Sequence, residues 1–365
     1  MTDTIRFKHL SVRSFRNLLR VDFAPAPRLN VIAGDNGQGK TSLLEALYVT
    51  ATTRSFRSER VREVIRDGDD LATTIARVTS ADSEYEQRSV IGRSTRNFLL
   101  DGTKPERLSR YAVQTPVVVF HPGDLALVSG SAALRRTLLD RIALHASPTS
   151  GDYRARYTRA LRERQRVLDE RGPRAPELDV FEELMATHGT RFAGARREAC
   201  ERLVSSLEPA FSSMAASDLQ LRANYRAGGS EDRQTFRDRL REDRPGDARR
   251  RNTRFGPQRD DLDLELNGRS ARKHASQGQQ RILTLALKIA ELDCVRATRN
   301  AYPVLLLDDV SSELDPTRTG AVYEFLRRTD SQVFVTTTRP ELFSTPGIAE
   351  AERADWRLEG GSLQG

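Results

Sequence analysis

Lysine is nearly missing from this chain. Five lysines, at positions 8, 40, 104, 273 and 288, stand against 54 arginines in 365 residues. A chain that uses arginine almost wherever a positive charge will do, yet keeps lysine at 40, points to a compact ammonium being needed there. Cysteine is as scarce. Cys200 and Cys294 are far apart and lack metal-site spacing, which excludes a disulfide framework or a zinc cluster and leaves two reduced packing thiols. The five histidines form no ligand pattern, and no internal repeat is found. No apolar run approaches the roughly 18 residues of a membrane span, and the polar N-terminus carries no signal-peptide pattern. These absences exclude membrane transport by this chain itself and predict a soluble, cytoplasmic protein.

Charge is plentiful. Charged residues make up 30% of the chain and hydrophobic ones 38%, with a net charge of +8. That balance favours a polyanionic partner, nucleic acid first.

The most informative stretch is 34–41: Gly34, Asp35, Asn36, Gly37, Gln38, Gly39, Lys40 and Thr41. It fits G-x-x-x-x-G-K-[ST], the phosphate loop of nucleotide hydrolases. Leu29 to Ala33 before it is a short apolar run that predicts a buried parallel strand. Ser42 to Tyr48 after it predicts a helix with Leu43, Leu44 and Leu47 inward. The glycines thus join a strand to a helix N-terminus, where backbone N–H groups and the dipole favour a polyphosphate. Lys40 is expected at the β- and γ-phosphates of ATP, and Thr41 on Mg²⁺. Such a loop needs a metal-binding carboxylate on a neighbouring strand. Val304 to Asp308 supplies it, with Asp309 placed beside the γ-phosphate and Ser311 to Asp315 following.

Around these motifs the chain predicts an α/β fold. Residues 5–23 alternate as a hairpin with Arg16-Asn17 between the runs, and 71–78, 85–91 and 97–100 predict an antiparallel subdomain. Val117 to Phe120 and Val333 to Val335 predict further buried strands. From about 131 the pattern becomes helical: Ser131–His145, then Tyr153–Glu170, then a long stripe from Leu178 to Leu207 that includes His188 as a packing residue. Residues 226–252, rich in Gly, Arg and Asp, predict a partly mobile connector. Leu262, Leu264 and Leu266 before Asn267-Gly268 predict a hairpin. An apolar helix follows Ser276, through Ile282, Leu285, Ala286, Ile289 and Leu292. The expected domains are a discontinuous ATPase head, 1–130 and 252–365, and an inserted helical lobe, 131–251.

Ser276-Gln277-Gly278-Gln279 has two readings. It can be a helix cap and nothing more. It also resembles the signature motif of ATP-binding-cassette ATPases, Leu-Ser-Gly-Gly-Gln, with Ala275 and Gln277 as departures, and it precedes the carboxylate strand in that family's order. The segments Phe7-Lys8-His9-Leu10, Phe15-Arg16-Asn17, Arg54-Ser55-Phe56-Arg57, Val119-Phe120-His121-Pro122 and Gly256-Pro257-Gln258-Arg259, with 276–281 and 304–315, then narrow the likeness. Together they resemble the RecF family, short-armed relatives of the SMC-type ATPases. The resemblance implies an ABC/SMC-type P-loop ATPase head with an antiparallel β subdomain and a short helical arm. It implies ATP and Mg²⁺ as cofactors, with residues 34–41, Ser42, Arg57, Ser276, Gly278 and Gln279 at the nucleotide and Thr41 and Asp308 at the metal. Lys40, Asp308 and Asp309 would be catalytic. It implies an ATP-dependent homodimer that binds gapped or junction DNA and acts with RecR and RecO to load RecA in repair, replication restart and SOS induction. Position 309 is Asp where transporters carry Glu, and Thr336-Thr337-Thr338 lacks the switch histidine. Both departures imply a slow, DNA-stimulated switch rather than a pump. Either Gln114 or His121 would stand for the metal-binding glutamine of cassette ATPases. A transporter ATPase subunit is the alternative, disfavoured by the basic charge. An SMC-like tether is another, disfavoured by an insertion of only roughly 120 residues.

Overall fold

The computed structural model describes residues 2–81, 83–215, 219–309, 329–343 and 348–364. The segment Ser311 to Asp315 lies outside them. The chain forms two compact units, Met1–Asp124 with Val295–Gly365, and Leu125–Cys294.

The first unit begins with β1 (Arg6–Phe15), β2 (Leu18–Phe23) and β3 (Leu29–Ala33), followed by α1 (Lys40–Thr52). Then come β4 (Leu71–Ser80), β5 (Ser83–Gly92), β6 (Arg96–Leu100) and β7 (Val117–Phe120). Strands β2-β1-β4-β5-β6 form an antiparallel sheet in that order. Its alternation is the expected one: Phe7, Leu10, Val12 and Phe15 of β1 are buried while Lys8 and Arg13 face out.

The second unit contains α2 (Ala132–Ala146), α3 (Thr149–Arg171), α4 (Leu178–Ser212), β8 (Leu221–Arg226), α5 (Arg233–Arg250) and β9 (Asp261–Leu266). It also holds most of α6 (Gln277–Arg299). Strand β9 pairs antiparallel with β8 and, through the expected turn, with Arg269–Ser270. Asn267 and Gly268 take φ of 50° and 73°, the two left-handed positions that an Asn-Gly hairpin turn requires.

Two expectations need correction here. The stretch 226–252, expected to be partly mobile, is mostly helix: α5 takes Arg233–Arg250, after Arg226, the last residue of β8. In α5 only Phe236, Leu240 and Asp247 are buried, too few to betray a helix by composition. Its arginines fix it: Arg233 and Arg237 pair with Glu183, and Arg244 with Asp179 and Glu182, all on α4. The second correction concerns the head boundary at 252. Residues of β9 and α6, including Leu262, Leu264, Leu283 and Leu287, share one core with Leu138, Leu139, Leu203 and Leu207. That segment therefore belongs to the helical unit. The core-facing stripe of α6 is Leu283, Ala286, Leu287, Ala290 and Cys294; of the expected residues Ala286 and Leu292 are buried, Ile282 packs against the same core, and Leu285 and Ile289 are half-buried.

Buried ion pairs thread the second unit. Arg164, fully buried, reaches Glu182 at 2.9 Å and Asp247 at 2.9 Å. Arg196 reaches Asp140 at 2.6 Å and Asp260 at 2.9 Å, and also donates to the Pro257 carbonyl. Gly256 packs so closely on Tyr157 that a Cβ would lie 2.2 Å from its hydroxyl. Gly256-Pro257-Gln258 is thus a structural corner of this unit.

The chain returns to the first unit with β10 (Val304–Asp308), β11 (Val333–Thr337), β12 (Arg353–Glu359) and β13 (Ser362–Gln364). The second sheet runs β13-β12-β3-β11-β10-β7, parallel except for the β12–β13 hairpin. Every residue of β7, β10 and β11 is buried, as expected for strands that read as unbroken apolar runs.

Candidate nucleotide-binding site

The site lies at the carboxyl ends of the parallel strands, where ligands of open α/β sheets gather. Strand β3 ends at Ala33 and α1 begins at Lys40, so residues 34–39 form the loop. Gly37 and Gly39 hold φ of 82° and 112°, conformations that L side chains rarely adopt. A Cβ on Gly39 would also lie 2.7 Å from Leu18, and one on Gly34 2.4 Å from the Leu358 carbonyl oxygen. No side chain caps the first turn of α1. Its leading N–H groups are therefore left for an anion.

Lys40 Nζ donates to the carbonyls of Gly34 at 2.5 Å and Asp35 at 2.8 Å. Burial pulls its ammonium pKa down, and Asp309, Asp308 and Asp35 oppose that only in part. Thr41 Oγ1 donates to Asp308 Oδ1 at 2.9 Å, and Thr336 Oγ1 to the same oxygen at 2.8 Å. Burial raises the Asp308 carboxyl above the ordinary range, against those two hydroxyls and the nearby His121, with Asp309 adding to the rise. Asp309 sits at φ 47°, and its N–H donates to Thr336 Oγ1 at 3.0 Å. A cavity of about 660 Å³ opens here, lined by Arg16, Asn17, Lys40, Arg57, Asp308 and Asp309 among others.

The loop is clasped from outside. Asn17 donates to the Gly37 carbonyl at 2.8 Å and accepts from Ser42 Oγ at 2.8 Å, so Ser42 is engaged with the β1–β2 turn. Gln38 Oε1 accepts from the Gly360 N–H at 2.6 Å. Glu45, fully buried on α1, accepts from Arg16 at 3.0 and 2.8 Å, from Ser55 at 2.5 Å and from Arg57 at 3.4 Å. This carboxylate ties the Arg-Ser-Phe-Arg segment to the loop helix. Its only sequence signal is a lone charge among Leu43, Leu44 and Leu47. Thr336 was noticed for the histidine it replaces; its role as a shared hydroxyl between Asp308 and Asp309 has no such signal.

Of the two open candidates for the metal-binding glutamine, register separates them. Val304 pairs with Val117 and Leu307 with Phe120, so Gln114 precedes the far end of β7 while His121 follows the end beside Asp308. His121 stacks on Phe56 at 5.1 Å and lies 3.6 Å from Asp124. Gln114 gives its carbonyl to Tyr85.

The chemistry of this set fits Mg²⁺-ATP. Thr41 and Asp308 offer two hard oxygens a hydrogen bond apart, the number a magnesium ion takes when phosphates and water complete its shell. No cluster of three or more metal-binding side chains exists among the described residues. Residues Ser276, Gly278 and Gln279 lie in the second unit. The Ser276 N–H donates to Gln279 Oε1 at 2.9 Å and the Gln279 N–H to Ser276 Oγ at 3.3 Å, a reciprocal capping box at the start of α6.

Fold and site together define a P-loop ATPase head of the SMC kind. A family model described as the RecF/RecN/SMC N terminal domain matches residues 6–346. The DNA replication and repair protein RecF of Anaeromyxobacter sp. (strain Fw109-5) is 37% identical over 364 residues, covering 97% of each chain. That of Myxococcus xanthus (strain DK1622) is 37% identical over 349 residues, covering 92% of this chain and 91% of its own. A solved structure of the recombination mediator protein RecF-ATP in the RecFOR pathway superposes with a TM-score of 0.88 at 26% identity, covering 99% and 97% of the two chains. An Smc head domain from Pyrococcus furiosus shares the fold, with a TM-score of 0.56 at 14% identity over 99% and 96%. This chain belongs to the RecF/RecN/SMC N-terminal domain family, and within it to the RecF proteins.

Proposed function

We propose that this chain is an ATP-dependent DNA-binding switch of replication and repair. The observation that carries the reading is the junction of Lys40, Thr41 and Asp308 in one cavity, with the Thr41 hydroxyl 2.9 Å from the Asp308 carboxylate. Lys40 and the α1 N-terminus hold the β- and γ-phosphates, while Thr41 and Asp308 hold Mg²⁺. The metal, when bound, neutralises charge on the phosphates. Asp309 orients the attacking water and accepts its proton. Its carboxylate is one methylene shorter than the glutamate of transporters, which suits slow turnover, stimulated by DNA.

The likeness of Ser276-Gln277-Gly278-Gln279 to the cassette signature motif, rather than its capping box, is what supports a second half of the site contributed by a partner copy. Two copies facing each other would place each α6 N-terminus at the γ-phosphate held by the other, burying two ATP molecules in a two-fold interface. Closing the heads brings basic surfaces together on gapped or junction DNA. The RecFOR setting of the solved relative makes RecO- and RecR-type proteins the expected partners, and loading of RecA at gaps the expected outcome. Among the described residues no helix is long and apolar enough to cross a membrane. A cytoplasmic, nucleoid-associated protein is the reading that follows.

Sedimentation and duplex-DNA binding, each with ATP and with ADP over a salt series, test this. ATP should dimerise the protein and raise DNA affinity, and that affinity should fall steeply with salt. Equal behaviour in ATP and ADP would overturn the switch.

A further inference from the structure

Helix α4 has two unlike long faces. One carries Asp179, Glu182 and Glu183, and Arg233, Arg237, Arg241 and Arg244 of α5 neutralise it. The other carries Val180 and Leu184, 61% and 41% exposed and one turn apart, with Phe181 and His188 beside them. Contiguous exposed apolar surface rimmed by polar residues is the form an interaction site takes.

A groove of about 550 Å³ runs between this second face and α3. Ala160, Phe181 and Leu184 supply apolar wall, and Arg156, Arg159, Glu163 and His188 supply the polar part. The two arginines are the unusual element. In a chain where arginines are so often paired with carboxylates, Arg156 and Arg159 carry no ion pair among the described residues. They stand three residues apart, on one face of α3. Burial, with Arg156 and Arg191, holds the His188 imidazole below its ordinary pKa, so the groove has a positive field and a neutral ring.

We infer that this groove docks a short acidic segment of a partner protein, with an apolar side chain seated on Phe181 and Leu184 and carboxylates on Arg156 and Arg159. Charge complementarity selects the acidic partner. The apolar wall selects a peptide over a nucleic acid, because a phosphate backbone gains nothing from Leu184 and is repelled by Glu163. Shape and charge then divide the work as at other protein interfaces: an apolar anchor for affinity, and rim charges for selectivity and encounter rate. The surface lies within the helical unit and does not depend on the nucleotide reading.

The test uses the full chain and a fluorescein-labelled hexapeptide of alternating Asp and Leu. Counterparts with Lys for Asp and with Ala for Leu, and an unlabelled DNA duplex as competitor, complete the set. The Asp/Leu peptide should bind saturably, and both counterparts should bind at least tenfold more weakly. The double variant Arg156→Glu/Arg159→Glu and the single variant Leu184→Asn should each weaken it about tenfold. Both should keep the wild-type far-UV circular dichroism spectrum and denaturant midpoint, which certifies the folding of the helical unit. Absence of saturable binding, binding indifferent to either variant, or displacement of the peptide by duplex DNA would each overturn the assignment; the last would make the arginines a phosphate surface.

Discussion

At the scale of single residues, the site turns on two charges with different duties. In the proposed reading Lys40 neutralises phosphate charge; its compact ammonium is held by the Gly34 and Asp35 carbonyls, a position a planar guanidinium would not fill in the same way. Lys40→Met should keep the fold and lose about 10- to 100-fold in ATP affinity, the worth of a charge-assisted contact or two. Equilibrium nucleotide titration checks this, and unchanged affinity would remove the loop from the mechanism. Asp309 is held at a left-handed φ by Thr336, a conformation that Asp tolerates better than most residues. Asp309→Asn should still bind Mg²⁺-ATP through Lys40, Thr41 and Asp308, but hydrolyse it on the order of 100-fold more slowly. Single-turnover measurement decides it; a wild-type rate would place the base elsewhere.

At the scale of elements, Ser276 is the sharpest test. Its capping box with Gln279 means that a helix cap is certainly one of its roles. Ser276→Arg removes that cap, costing about 1 kcal/mol, and puts a bulky cation at an exposed helix start. If α6 completes the site of a partner copy, the variant should bind ATP nearly normally, stay monomeric in sedimentation with ATP, and lose ATP-stimulated DNA binding. Normal dimerisation would leave the cap as its whole function. The elements also show what was legible in the sequence. The loop, α1, the buried strands and the alternating β1, β4 and β5 were legible, because each writes one period or one motif continuously. The site's two carboxylates were legible for the same reason, as the end of β10. Helix α5 was not, since it is held by ion pairs between side chains that composition counts as solvated. The contacts of Glu45 and Asn17 were not, since their partners stand 10 to 29 residues away with no period to mark them, nor was that of Gln38, whose partner Gly360 is 322 residues on. The compact units divide elsewhere than the expected head boundary at 252, because β9 and α6 bury their leucines against helices of the insertion, a tertiary choice that periodicity does not record.

At the scale of the whole molecule, the stability of the second unit is tied to acid by its buried carboxylates. Glu291 on α6 accepts from Arg141 at 2.5 and 3.0 Å and from Lys288 at 2.5 Å. Burial alone would push its pKa up, yet Arg141 and Lys288 together hold it at about 2. A carboxyl depressed in the folded state contributes stability that is complete above its unfolded value of about 4.5 and is lost as pH falls toward about 2. Denaturant unfolding followed between pH 6 and pH 2 should therefore show a loss to which Glu291 contributes on the order of 3 kcal/mol, a share that Glu291→Gln removes. A wild-type pH slope in the variant would exclude Glu291 as a source.

The clasp on the phosphate loop bears on how the protein is made. Gln38 and Gly360, 322 residues apart, share a hydrogen bond, and Gly34 packs against the Leu358 carbonyl with no room for a methyl group. A ribosome delivers the loop 322 residues before Gly360 of its support. During nearly all of synthesis β3 waits without the neighbours β11 and β12 that flank it in the finished sheet. Contacts this distant form slowly, and they leave strand edges open meanwhile. The β12–β13 hairpin is thus part of the loop's support: a chain cut short before residue 353 carries the whole motif and lacks the wall behind it.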